Sequence, residues 1–354
     1  MLISIILPFP VTKPVGGAKI MYEYANRLAA NGHTVKIFHS IKRPFKKSKT
    51  PLWFKRLVFA LRGVARPKWF PLHLQIKAVI VPSISDRYIP DADIVMSTWW
   101  QMTYAVNELS AGKGKKFNLI QDFEIWKGQE DKVKESYCLP IHHLVIAKYL
   151  QKLVFETSGK QPLLISNSID EKYFFVKMPP EKRNAHSIIM LYSQEPRKGT
   201  SFGLEALKKV KENFADLIVI FFGVFKTPEG LPEWITYYQS PTNLPQLYNK
   251  AAIFFSPSLG EGWALPPAEA MACGCAVVCT NIGGHQDYAI AGETALLAEP
   301  KNVQDMKDKI ETLLIDNKKR IELAYEASRL ISTQFSWKSS VQKLEECFFD
   351  SLKK

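Results

Sequence analysis

The stretch Ser256-Pro-Ser-Leu-Gly-Glu-Gly-Trp-Ala-Leu-Pro-Pro-Ala-Glu-Ala-Met-Ala-Cys-Gly-Cys-Ala-Val-Val278 reads as one βα unit running into the next strand. An apolar strand, Ile253–Ser256, ends where the stretch begins and a glycine-rich loop follows. A helix then opens near Pro266, since proline is tolerated in a first helical turn. A second strand, Ala276–Thr280, closes the unit. This order belongs to a doubly wound α/β sheet, whose ligands gather at the carboxyl ends of the strands. Gly260 and Gly262 let the backbone approach a ligand closely. The amides of Gly262, Trp263, Ala264 and Leu265 are expected to point outward beside the helix start, where an anion or sugar hydroxyls would bind.

Two carboxylates flank the loop. Glu261 and Glu269 are eight residues apart, about 80° apart on a continuous helix, so one is expected to project from the loop and the other from the helix. Ionised carboxylates only accept hydrogen bonds, which suits sugar hydroxyls and not phosphate. Read alone, the pair also fits two solvated glutamates beside a structural turn.

Working outward, the 354 residues are too many for one ordinary α/β domain and fit two. Short apolar runs alternate with helical patterns from Leu2–Leu7 onward, and the first helix is expected over Ala18–Ala30, stopped by Asn31-Gly32. The charged, proline-containing stretch 171–186 is read as a linker. It separates a first Rossmann-like domain, 1–170, from a second, 187–335, which is followed by a C-terminal helix over 336–354. Such a pair of domains is expected to hold a ligand in the cleft between them. A hydrophobic content of 46% suffices for two cores, and the five cysteines do not form a secreted disulfide pattern. The chain is therefore read as cytoplasmic. Met1 to Pro8 is read as a first strand and not a leader, and no apolar run approaches the length of a bilayer span.

Three further clusters carry chemistry. Glu195-Pro-Arg-Lys-Gly-Thr200 follows the strand Ile188–Tyr192, and Arg197 and Lys198 sit at a strand-to-helix handover suited to a diphosphate. Val15-Gly-Gly-Ala18 follows the first strand but is not the spaced Gly-x-Gly-x-x-Gly of dinucleotide binding. Gly16 and Gly17 are candidates for a ligand-binding loop because a helix follows at once, with a turn that merely needs glycine as the alternative. Gln121-Asp-Phe-Glu124 ends another strand, where polar residues can face a ligand.

The Glu261-to-Glu269 stretch resembles the Glu-x7-Glu motif of glycosyltransferase family 4, retaining enzymes of the GT-B fold with two Rossmann-like domains. Cys273-Gly-Cys-Ala-Val-Val and Asn281-Ile-Gly-Gly are similar to that family's text as well. The resemblance covers essentially the whole chain and is strongest from 188 to 300. It implies transfer of a hexosyl or deoxyhexosyl group from a nucleoside-diphosphate sugar, with retention. Glu261 would touch the donor sugar, Glu269 the ribose and Lys198 the diphosphate, with the Gly16-Gly17 loop near the phosphate. Where many members place a second cation this chain has Tyr192, with Arg197 as the substitute; where they place a histidine it has Gln121, and Asp122 or Gln121 would position the acceptor hydroxyl. The implied chemistry uses no cofactor and no metal, because Lys198, Gly17 and the helix terminus take a cation's place. A glycan- or lipid-binding relative without catalysis is the alternative.

Other residues are read as structural. Asp91-Ala-Asp93 mimics a metal-binding Asp-x-Asp but precedes a strand, where acids are ordinary. Cys273, Cys275 and Cys279 lack zinc spacing and are read as core filler. His142-His143 opens a strand, and Ser97-Thr-Trp-Trp100 follows one. The net charge of +13 is concentrated: residues 42–70 hold ten Lys and Arg and no Asp or Glu, leaving +3 for the rest. Aromatics are interleaved there, as for nucleic acid, anionic lipid or a solvated loop with inward-packing rings. Of these, peripheral contact with the inner face of a membrane is preferred and nucleic acid is not. The acceptor is accordingly expected to be a glycan or lipid-linked glycan of the cell envelope.

Overall fold

The computed structural model describes residues 1–45, 50–125 and 128–353. The chain divides into two units, Met1–Ser166 with Lys338–Lys354, and Asn167–Trp337.

The first unit holds β1 (Leu2–Leu7), α1 (Gly16–Ala30), β2 (Thr34–Ser40), α2 (Leu52–Leu61), β3 (Lys77–Val81), β4 (Ile94–Thr98), α3 (Trp100–Asn107), β5 (Lys115–Ile120), α4 (Glu130–Cys138), β6 (His142–Val145), α5 (Lys148–Ser158) and β7 (Leu163–Leu164). Its seven strands pair in the order β3-β2-β1-β4-β5-β6-β7. Ile3, Ile5 and Ile6 of β1 are fully buried because a central parallel strand is covered on both faces. Asp93 accepts from the Leu2 amide at 2.7 Å and Asp91 pairs with Lys113 at 2.9 Å, so both carboxylates of Asp91-Ala-Asp93 serve strand ends and a surface ion pair.

The second unit holds β8 (Ser187–Leu191), α6 (Thr200–Asn213), β9 (Ile218–Gly223), β10 (Ile235–Gln239), α7 (Leu244–Lys250), β11 (Ile253–Ser256), α8 (Leu265–Ala272), β12 (Ala276–Thr280), β13 (Ala295–Ala298), α9 (Val303–Ile315) and α10 (Asn317–Gln334). Its order is β10-β9-β8-β11-β12-β13, all parallel. Asp316 separates α9 from α10 and caps the latter by accepting from Lys319 N. Both sheets are therefore Rossmann-like, and each reverses its winding beside its first strand, at β1/β4 and at β8/β11.

The division differs from the expected linker. Residues 171–186 pack into the second unit around Arg183, which is 6% exposed. Its guanidinium donates to the carbonyls of Met178, Tyr248, Ala251 and Cys273. A buried charge persists only when so bonded. The last helix, α11 (Trp337–Lys353), lies against the first unit, where Phe348 meets Phe117 at 4.8 Å and Glu345 accepts from His33 and Asn31.

Candidate active site

At the switch point of the second sheet, the loops after β8 and β11 meet. The chain leaves β8, makes a 3-10 turn over Pro196–Lys198, and enters α6 through Gly199 at φ 63°. A Cβ at Gly199 would come within 2.0 Å of the Pro257 carbonyl oxygen, so only glycine permits this approach. Thr200 Oγ1 donates to the Ser193 carbonyl at 2.8 Å and accepts from Ser193 N, closing the turn. Leu259 N donates to the Arg197 carbonyl at 2.7 Å and joins the two loops.

These constraints aim Lys198 at Glu261. Nζ lies 2.8 Å from each carboxylate oxygen, and Ser258 Oγ adds a 2.8 Å bond to Oε1. Burial alone would raise the Glu261 carboxyl. The Lys198 charge and the hydrogen bonds from Lys198 and Ser258 outweigh burial and hold it below its ordinary range. Gly284 presses on the same residue: a Cβ there would sit 2.5 Å from Glu261 Cβ and its carbonyl oxygen. Behind it, fully buried His285 faces the Thr280 carbonyl with Nδ1 at 2.8 Å. A carbonyl only accepts, so Nδ1 carries the proton and Nε2 accepts from Ser256 Oγ at 3.3 Å. Burial keeps this imidazole neutral by lowering its pKa.

Glu269 projects from α8 and is 6% exposed. Tyr248, wholly buried on α7, donates to its Oε2 at 3.4 Å. Loop and helix thus carry one carboxylate each, as the spacing predicts.

The loop amides correct one expectation. Ala264 N donates to the Gly284 carbonyl at 3.1 Å, and Pro266 and Pro267 have no N–H to offer. Of positions 264–267, Leu265 alone keeps an amide open to a ligand among the described residues. The Trp263 indole is buried beside Tyr288 and Phe335 at 4.8 and 5.5 Å. Gly262 remains in the loop between these anchors. Arg197 is not brought to the pair; its guanidinium is engaged by Glu195 at 3.3 Å. Tyr192 stacks on Phe221 at 6.3 Å and meets Tyr237 edge-on.

In the first unit the structure brings Gly17 and Gln121 together. Gln121 Nε2 donates to the Gly17 carbonyl at 3.0 Å and to Thr98 Oγ1 at 2.8 Å. A Cβ on Gly17 would touch this amide at 3.5 Å, whereas one on Gly16 would meet nothing within 4 Å. Both glycines belong to α1, which starts two residues before the expected Ala18. Asp122 accepts from Phe123 N at 2.9 Å and from Tyr149 Oη at 3.5 Å. Glu124 has the more distinctive setting: it accepts from Trp100 N at 2.8 Å, at the start of α3, beside Trp99 at φ 76°. Burial, with Asp122 adding to it, pushes its carboxyl up to about 8 against the lowering by the Trp100 amide.

Sequence reasoning assigned no individual role to Ser258, Gly284, His285 or Tyr248 and did not foresee the setting of Glu124. The double glycine after β12 was the available signal for Gly284. Nothing local marks Tyr248, which reaches Glu269 only through tertiary packing. Cys273, Cys275 and Cys279 are buried core thiols, all raised by burial.

Residues 171–330 match the family described as Glycosyl transferases group 1. The match lies within the second unit and extends over nearly all of it. Among curated proteins, the chain is 28% identical over 207 residues to the sulfoquinovosyl transferase SQD2 of Arabidopsis thaliana, covering 53% of this chain and 40% of that one. It is 37% identical over 115 residues to the O-antigen chain mannosyltransferase B of Escherichia coli, covering 32% and 29%. The chain thus spans well under two thirds of these relatives. Among solved structures, Anabaena HepE in complex with UDP and glucose superposes with a TM-score of 0.75 at 15% identity, covering 99% of this chain and 100% of that one. At that identity the likeness speaks for the fold, which is GT-B. Lys198, Glu261 and Glu269 all fall inside the matched residues.

Proposed function

We propose that this protein is a retaining glycosyltransferase that moves a hexosyl or deoxyhexosyl group from a nucleoside-diphosphate sugar to a glycan or lipid-linked glycan of the cell envelope. The observation that carries the proposal is the Lys198–Glu261 pair at the β8/β11 switch point, with Glu269 on the following helix. Lys198 holds the diphosphate as it departs, where charge develops in the transition state. Glu261 orients the sugar ring and Glu269 accepts from the ribose hydroxyls. The departing phosphate removes the acceptor proton on the same face, and Gln121 and Asp122 orient the acceptor hydroxyl. No metal and no cofactor enters this scheme. The acceptor is met at the inner face of a membrane, through peripheral contact by residues 42–70.

The family, the relatives named sulfoquinovosyl transferase and mannosyltransferase, and the UDP-bound neighbour support the donor class. A panel of nucleotide sugars assayed for slow donor hydrolysis, with Lys198→Ala and Glu269→Ala alongside, tests the reading. Hydrolysis of one donor that collapses in Lys198→Ala is expected. Binding of glycan or lipid with no hydrolysis of any donor would replace it with a non-catalytic relative.

A further inference from the structure

We infer that α2 is a membrane-docking helix that lies flat on an anionic lipid surface, with Trp53, Phe54, Leu57 and Leu61 among the acyl chains. The inference deepens the membrane contact proposed above and rests on that reading for its biological purpose.

Not one of the ten residues of α2 is buried. Trp53 is 69% exposed, Phe54 46%, Leu57 50% and Leu61 80%. A surface helix normally turns its polar side to water, and α2 does the reverse. At 100° per residue, the exposed Ala60, Trp53, Leu57, Leu61 and Phe54 form an unbroken apolar arc of about 120°. The half-buried Leu52, Lys55, Val58 and Phe59 share the other side. Arg56 edges the arc, from where a long side chain reaches headgroups while its stem stays in contact with apolar surface.

Trp69 and Phe70 do not share this outward turn, whereas Phe45 is itself 50% exposed. Trp69 and Phe70 pack on Tyr22 at 5.8 and 5.5 Å, and Phe45 stacks on Trp100 at 5.4 Å. Arg43 lies over the Phe9 and Trp99 rings, and Arg66 donates to the carbonyls of Leu72, His73 and Ile76. The inward rings and these two arginines are structural; the face of α2 is not. Lys46, Lys47 and Lys49 lie outside the described residues.

The partner's chemistry follows from two features together. A contiguous exposed apolar patch calls for an apolar partner, and ten cations without one acid over residues 42–70 call for an anionic one. Nucleic acid supplies the charge without the hydrocarbon, whereas a bilayer containing acidic lipid supplies both. Ten residues reach about 15 Å, half a bilayer core, so the helix lies in the interface and does not cross it. Among the described residues, no helix is long and apolar enough to cross a membrane.

The test is sedimentation of the full chain with vesicles of phosphatidylcholine alone and of phosphatidylcholine with phosphatidylglycerol. The variants are a triple one (Trp53→Ser, Leu57→Ser, Leu61→Ser) and a charge variant (Arg56→Gln, Arg62→Gln). All five side chains are exposed, and thermal unfolding confirms that the fold is kept. The wild type is expected to partition at least about tenfold better onto the acidic vesicles, since each surface cation adds to the attraction. The triple variant should lose about tenfold on those vesicles, and the charge variant only the preference for them. Wild-type-like partition of the triple variant overturns the inference. So does a wild type that ignores vesicles but self-associates through residues the triple variant removes, which would assign the face to a second copy. Donor hydrolysis without vesicles is read in parallel and should be unchanged in every variant. Vesicle binding without hydrolysis of any nucleotide sugar fails the transferase reading alone; hydrolysis without vesicle binding fails this inference alone.

Discussion

Lys198 Nζ lies 2.8 Å from both carboxylate oxygens of Glu261, so the cation proposed for the donor's diphosphate and the carboxylate proposed for its sugar neutralise each other. The lysine is 17% and the glutamate 9% exposed at the side chain, which shields the pair from the screening that weakens surface ion pairs. A bare nucleoside diphosphate must compete with Glu261 for Lys198 while meeting its negative charge. A nucleotide sugar offers phosphate oxygens to the lysine and hydroxyls to the glutamate, so both partners find replacements.

Glu261→Gln should therefore separate product from substrate. Calorimetry is expected to give nucleoside-diphosphate binding about tenfold tighter than wild type, because a charge repulsion is gone. Turnover of the nucleotide sugar should fall. Weaker diphosphate binding in Glu261→Gln would contradict this account of the pair.

Lys198→Ala removes the cation beside the departing diphosphate. Losing one such stabilising group costs about 10²–10³ in kcat, and steady-state kinetics with the preferred donor checks it. The same variant leaves Glu261 buried without its ion-pair partner, so a lower melting temperature is expected as well.

Gly199→Ala and Gly284→Ala introduce Cβ atoms 2.0 and 2.5 Å from backbone or Cβ atoms. Each should destabilise the second unit by at least about 2 kcal/mol through strain and backbone displacement, measured by denaturant unfolding. Gly284→Ala should also lower turnover, because the atoms displaced belong to Glu261.

Glu124 makes stability depend on pH with a definite sign. Its carboxyl ionises near 4.5 when unfolded and is pushed up to about 8 in the fold, so the folded state binds the extra proton. Stability from this group is full below 4.5 and is lost as pH rises toward 8. Chemical denaturation of Glu124→Gln across that range should be flatter than that of wild type. An unchanged slope would show that the raised carboxyl is not a property of the folded protein.

Much of the fold was legible because the central strands are continuous apolar runs: Ile253–Ser256 and Ala276–Thr280 have the expected bounds. The edge strands of the second sheet, β10 and β13, are less legible. Ile-Thr-Tyr-Tyr-Gln is partly exposed, and Ala-Leu-Leu-Ala, though mostly buried, suits a helix equally. Arg183 disguised its segment as a linker, since a charged residue is seldom taken for a core hub. At the site, Lys198 and Glu261 were visible as residues following strands, and Glu269 as a residue of the helix after the loop. Their pairing was not, because the approach of Pro257 to Gly199 and of Glu261 to Gly284 is set by tertiary packing. The proline pair at 266–267 did stand in the sequence, and it limits the amides a helix start can offer.

The return of α11 to the first unit has a consequence for synthesis. Phe117 is fully buried, and one of the rings against it is Phe348, which leaves the ribosome 231 residues later. At about 5–20 residues per second, the nascent first sheet waits roughly ten to fifty seconds with that flank uncovered. The second unit, contiguous from Asn167 to Trp337, can close before the first is complete. Maturation would then run in reverse of chain order, with the amino-terminal sheet sealed last and most in need of a chaperone.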